Sequence, residues 1–137
     1  MLKFNLFSRV REELQKMKLR LDELKEEENW EGAVNLLSDF CKDQFQYSLE
    51  EIEKMPSEKI IFLLSEKKDF SSEELSALAF VLEEKVLLNE KLNLPVLSLL
   101  KSNLAILEHV NNQEKQTLSL DRVSRINFLK ERINEIS

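Results

Sequence analysis

The residues best suited to chemistry in this 137-residue chain are its one histidine, His109, and its one cysteine, Cys41. An imidazole can act as a general base or hold a metal, but either role needs partners at fixed spacing. The sequence has no His-x-x-x-His, Glu-x-x-His or Cys-x-x-Cys pattern. His109 follows Glu108 near the end of an apolar-periodic segment, where a cationic ring suits the negative end of a helix dipole. Cys41 sits beside Phe40 on an apolar stripe and reads as a small buried hydrophobe. Its neighbours Lys42 and Asp43 give little of the basic, exposed setting that a reactive thiol needs. Glu83, Glu84 and Glu90 could offer carboxylates to a two-metal site inside a helical bundle, but such sites also draw histidines from facing helices. They read as the solvated stripe of their helix. No catalytic residue, metal or cofactor is expected, and the chain reads as non-enzymatic.

The elements that would carry these side chains are announced by what the chain lacks. It has one glycine, Gly32, and two prolines, Pro56 and Pro95. Average usage would give roughly ten glycines and seven prolines. Glycine-rich phosphate loops, tight hairpins and strained catalytic turns are thereby excluded, and an all-α protein with short polar joints is expected. The hydrophobic fraction of 42% is enough for a core. The net charge of −6 argues against nucleic acid as a partner, because phosphate contact needs a basic face. Residues 29–74 hold eleven acids and five lysines, so an acidic patch is expected near the middle of the chain. A single cysteine allows no internal disulfide and fits a reducing compartment.

Helical periodicity recurs along the chain. Phe7, Val10, Leu14, Met17, Leu21 and Leu24 step by three and four, which predicts a helix over 8–28. Trp30, Ala33, Val34, Leu37, Phe40, Cys41 and Phe45 mark the inner face of a second helix. The joint at Asn29 is so short that the two must form an antiparallel hairpin. Ser48-Leu-Glu-Glu51 and Ser71-Ser-Glu-Glu74 have the spacing of capping boxes. Between them Ser57 is expected to cap a short helix with Ile60 to Leu64 buried. The segment 72–92 is apolar over much of its circumference and should be central. Asn93-Leu-Pro95 joins it to a helix carrying Val96, Leu97, Leu100, Leu104, Leu107 and Val110, with Pro95 expected in the first turn. A polar linker, 112–118, precedes a C-terminal helix from Ser119 with Val123, Ile126, Leu129, Ile133 and Ile136 inward. Arg122, Arg125 and Arg132 lie near one face of it. They are expected to pair locally, as Asp121 with Arg125, or to dock on the acidic middle segment. The layout is a single domain over 1–137: two antiparallel hairpins joined by short helices, plus a C-terminal helix.

Residues 14–46 resemble a tetratricopeptide unit. Trp30 opens the second helix, and Ala33, three positions on, lets the two helices approach. Leu21 and Phe40 stand where that unit has small residues, so the likeness is degenerate and implies a more open hairpin. The joints of the two hairpins lie about 64 residues apart and not the ~34 of a tandem array, so no solenoid is expected. The whole layout is similar to a family of short bacterial tetratricopeptide-like proteins, a resemblance that implies a fold and no activity.

The expected function is a non-enzymatic protein–protein interaction module, a self-associating bacterial scaffold or adaptor in the cytoplasm. The alternatives are an immunity-type neutraliser of one partner and a helical bundle that binds a small ligand or lipid. Leu2, Phe4, Leu6 and Phe7 form an apolar N-terminal arm over 1–7, and with Trp30 they are the expected interface. A two-fold homodimer is expected, with fold-back of the arm as the competing outcome. The basic residues Lys3, Arg9 and Arg11 are too few for membrane anchoring, and no small-molecule substrate is expected.

Overall fold

The computed structural model describes the backbone of residues 2–67, 70–114 and 119–137, and the side chains of 9–64, 70–114 and 119–137. The fold is all-α: 85% of the chain is helical, and no strand occurs among the described residues. The helices are α1 (Leu2–Glu26), α2 (Trp30–Phe45), α3 (Leu49–Lys54), α4 (Ser57–Ile61), α5 (Ser72–Lys91), α6 (Leu97–Gln113) and α7 (Leu120–Ile136). A π-helical segment, Phe62–Lys67, continues α4. The chain divides into two compact units, Met1–Ile52 and Glu53–Ser137.

The first unit is the α1–α2 hairpin with the start of α3. Val10, Met17, Leu21 and Leu24 form the buried stripe of α1, facing Ala33, Leu37, Phe40 and Cys41 of α2. Phe40 and Phe45 meet edge to face, with ring centroids 6.3 Å apart. Helix α1 starts at Leu2 and not near residue 8, so the expected arm has helical backbone. The 3-4 spacing detects only the part of this helix with a regular apolar stripe. α2 is capped by the Asn29 side chain, which accepts from Gly32 N at 2.9 Å. A Cβ on residue 32 would lie 2.7 Å from Asn29 Nδ2 and 2.9 Å from its Cγ. The chain's one glycine therefore makes room for this cap.

Other joints turn without glycine. Glu28, Gln46 and Asn93 take positive φ, at 56°, 67° and 57°. After α1, Asn29 N bonds Leu24 O and Glu28 N bonds Lys25 O. After α5, Leu94 N bonds Asn89 O and Asn93 N bonds Glu90 O. Both are Schellman closures, and Gln46 N to Lys42 O is the simpler left-handed stop. The capping box before α3 forms, with Ser48 N donating to Glu51 Oε1 at 3.0 Å and Glu51 N to Ser48 Oγ at 3.1 Å. The bond from the Ser48 N–H holds the Glu51 carboxyl below its ordinary range. The box at Ser71 and Glu74 forms as well.

The second unit is built around α5, which is buried on several sides, as its apolar circumference predicts. α5 packs on α6, and α6 on both α7 and α4. Two expectations fail locally. Pro56, not Ser57, precedes α4, and its carbonyl takes the first amides without a side-chain cap. Pro95 lies before α6, whose N-cap is Val96, because the Pro95 carbonyl is engaged by Asn89 Nδ2 at 2.8 Å. Ile60 and Leu64 are buried in the segment after Ser57, but Phe62 is 52% exposed. Of the expected linker, residues 112 and 113 belong to α6, and 115–118 lie outside the described residues.

Candidate functional site

Two helices of the second unit carry the same pattern with opposite charge. α5 reads Glu83-x-x-Val86-Leu87-x-x-Glu90, and α7 reads Arg125-x-x-Phe128-Leu129-x-x-Arg132. Positions i, i+3, i+4 and i+7 share one helix face. Each helix thus shows two charges two turns apart, with two apolar side chains between them. Glu83 pairs with Arg125, and Glu90 with Arg132 at 3.3 Å. Both pairs span 42 residues, so α5 and α7 run parallel, with α6 antiparallel to both.

The two ion pairs and the two helices frame a slot of about 160 Å³. Leu100 and Asn103 of α6 complete its lining, with Val86 and Leu129 buried in its walls. At the mouth, Leu87 is 50% and Phe128 59% exposed. Asn103 is buried, and its Oδ1 has no hydrogen-bond partner among the described residues. An unpaired buried acceptor carries a desolvation cost.

The pairing corrects two expectations. Arg125 meets Glu83 and not Asp121, and the arginines dock on α5 rather than on the acidic middle segment. Arg122 bonds Asn111 Oδ1 at 3.2 Å and pairs with Glu114 at 3.6 Å. The physical reason is packing: Ile126 and Leu129 bury the inner face of α7, which sets Arg125 and Arg132 against α5. Glu83 and Glu90 are therefore ion-pair partners and more than a solvated stripe.

Nearby, Lys85 is buried and tied down. Its Nζ donates to Asn89 Oδ1 at 2.6 Å and lies 3.1 Å from Glu53 Oε1. Ser98 Oγ donates to the Glu53 carbonyl at 2.8 Å. This network fixes the end of α3 against α5 and α6 within the second unit.

The residues singled out from sequence lie elsewhere. Cys41 is fully buried, and burial pushes its thiol up to about 12, so it is a core side chain at neutral pH. His109 is half-buried in the last turns of α6. Trp30 is half-buried at the first position of α2, in the other unit from the slot. Leu2, Phe4, Leu6 and Phe7 lie in α1, and their side chains fall outside the described residues. Among the described residues, no group of three or more His, Cys, Asp or Glu is placed to hold a metal ion. None of their helices is long and apolar enough to cross a membrane. The slot residues Val86, Leu87, Phe128 and Leu129 were signalled by the matched spacing of α5 and α7, which is visible only when two segments 42 residues apart are laid side by side. No protein-family model matches this chain, and no curated protein or solved structure is detectably similar to it.

Proposed function

We propose that this chain is a non-enzymatic helical interaction module, a cytoplasmic bacterial scaffold or adaptor that docks other proteins on the α5–α7 face. One observation carries the reading. Leu87 and Phe128, both half-exposed or more, stand side by side over an apolar slot, with ion pairs at either end. An apolar centre inside a polar rim is the anatomy of a protein interface. The tetratricopeptide-like reading of the first hairpin is supported by Ala33, fully buried at the α1–α2 packing.

The test is site-specific photo-crosslinking in living cells. A benzophenone side chain replaces Phe128 or, as a control, Glu131, which is exposed on α7 and does not line the slot. The expected result is one discrete protein adduct from position 128, absent from position 131 and abolished by Leu87→Glu. No adduct, or the same smear from both positions, rejects the docking face.

A further inference from the structure

The α5–α7 face carries two rows of opposite charge at one spacing. On α5 the carboxylates of Glu83 and Glu90 flank Leu87, and on α7 the guanidinium groups of Arg125 and Arg132 flank Phe128. The charges of each row lie seven residues apart, a rise of about 10.5 Å along the helix. The helices run parallel, and the two ion pairs hold the rows level. The four charges sum to zero, so the face as a whole attracts neither an acidic nor a basic partner. Its complement is a surface with an acidic row beside a basic row at the same spacing, and apolar side chains between the charges. The face itself is such a surface.

Two copies can meet face to face with their helices aligned in two ways. A two-fold axis running across the helices lays α5 on α5 and α7 on α7, antiparallel. Glu83 then opposes the partner's Glu90, and Arg125 the partner's Arg132, so like charges meet throughout. A two-fold axis running along the helices lays the α5 of each copy on the α7 of the other, parallel and at the same level. Glu83 then faces the partner's Arg125, Glu90 the partner's Arg132, and Leu87 the partner's Phe128. At each end the four charges of the two copies alternate in sign around a ring. The internal pairs leave capacity for this: all four charged side chains keep a quarter or more of their surface exposed. A carboxylate accepts, and a guanidinium donates, more than one hydrogen bond.

From this self-complementarity we infer that the α5–α7 face takes a second copy of this chain, about a two-fold axis parallel to the helices that lays the α5 of each copy on the α7 of the other. The inference rests on the reading of this face as a docking surface and names what docks there. Leu87 and Phe128 of the two copies cover one another at the centre, and the charge rings close the ends. The size of the face sets the strength. α7 has 17 residues, a length of about 25 Å, and two helices side by side are about 20 Å wide. Full overlap buries on the order of 500 Å² per copy, about 1,000 Å² in all, the lower bound of a specific interface. The dimer is therefore a weak one that comes apart on dilution.

The test uses the full chain and a variant with the rows exchanged: Glu83→Arg, Glu90→Arg, Arg125→Glu and Arg132→Glu. The exchange keeps both internal ion pairs with their signs reversed, and thermal melting checks that the variant folds. At tens of micromolar each chain alone is expected at twice the chain mass by light scattering. Combined with ¹⁵N-labelled native chain, the variant should give almost no mixed dimer by native mass spectrometry, because its α5 and the native α7 are both basic. Labelled and unlabelled native chains, the control, should mix in the statistical share. A statistical share of mixed dimer from the exchanged chain overturns the inference, since the copies would then meet elsewhere. An excess of mixed dimer also overturns it, since like rows would then face one another in the native pair. Should the exchanged chain not fold, a second pair of variants decides. In a Cys41→Ala background, Leu87→Cys and Phe128→Cys chains should form a mixed disulfide with a mild oxidant, and neither chain a disulfide with its own copy. No mixed disulfide, or a Leu87→Cys chain linked to its own copy, overturns the inference. A native chain that stays at 16.2 kDa does so too. A discrete adduct to a different protein from position 128 would then leave the docking face in place and remove the second copy, and no adduct would remove both.

Discussion

Glu90 and Arg132, 42 residues apart in the chain, meet at 3.3 Å across one end of the α5–α7 slot. The side chains are 41% and 25% exposed, so water screens the attraction. Their main effect is to fix register: with Glu83 and Arg125 they leave α7 one matched alignment on α5.

Removing this pair should cost little stability. A double-mutant cycle with Glu90→Gln and Arg132→Gln, followed by urea denaturation, should give a coupling below about 1 kcal/mol that shrinks further in high salt. A coupling of several kcal/mol would mean that the pair is shielded from solvent.

Ala33 is fully buried where α1 and α2 pack. Ala33→Leu should overpack that crossing and lower stability by about 1–3 kcal/mol. An unchanged denaturation midpoint would place the side chain at the surface.

The Cys41 thiol gives a pH signature. Its ordinary value is 9.0, and in the folded chain burial raises it to about 12. The folded state therefore favours the neutral thiol. This contribution is fully present below pH 9 and is lost as the pH rises from 9 towards 12. Stability measured against pH should fall more steeply above 9 in the native chain than in Cys41→Ala. Below pH 9 the folded thiol should resist a disulfide reagent and react only on unfolding.

Gln46 ends α2 with φ at 67°. A residue with a Cβ pays roughly 1 kcal/mol or more in that region, and glycine does not. Gln46→Gly should raise stability by about 0.5–1 kcal/mol, measured as a higher denaturation midpoint.

Self-association has two possible seats. Light scattering at tens of micromolar is expected to give twice the 16.2 kDa chain mass. Loss of the dimer in Phe128→Glu assigns it to the α5–α7 face. Loss on deleting residues 1–7 assigns it to the start of α1. A 16.2 kDa species in the unmodified chain rejects both.

Helix content, both capping boxes and the central place of α5 are legible in the sequence because each depends on residues a few positions apart. Ser48 and Glu51, or Ser71 and Glu74, need only each other. The site is not local. Glu83 looks like a solvated carboxylate until α7 is placed beside α5, and Arg125 has a nearer acid in Asp121. Sequence spacing favours the near partner, while the packing of Ile126 and Leu129 turns Arg125 towards the far one. Nothing in the residues Phe62–Lys67 announces the π-helical turn that follows Ile61.

The parallel run of α5 and α7 has a consequence for the nascent chain. Synthesis at about 5–20 residues per second puts roughly 2–8 s between the emergence of Glu90 and that of Arg132 from the ribosome. During that interval α5 and α6 can already pair, but Val86 and Leu87 lack the helix that covers their flank. A chain stalled in that window would present half of the slot, acidic and apolar, with none of its basic wall. Chaperones or a mispaired neighbour could bind that half-slot before Arg125 has left the ribosome.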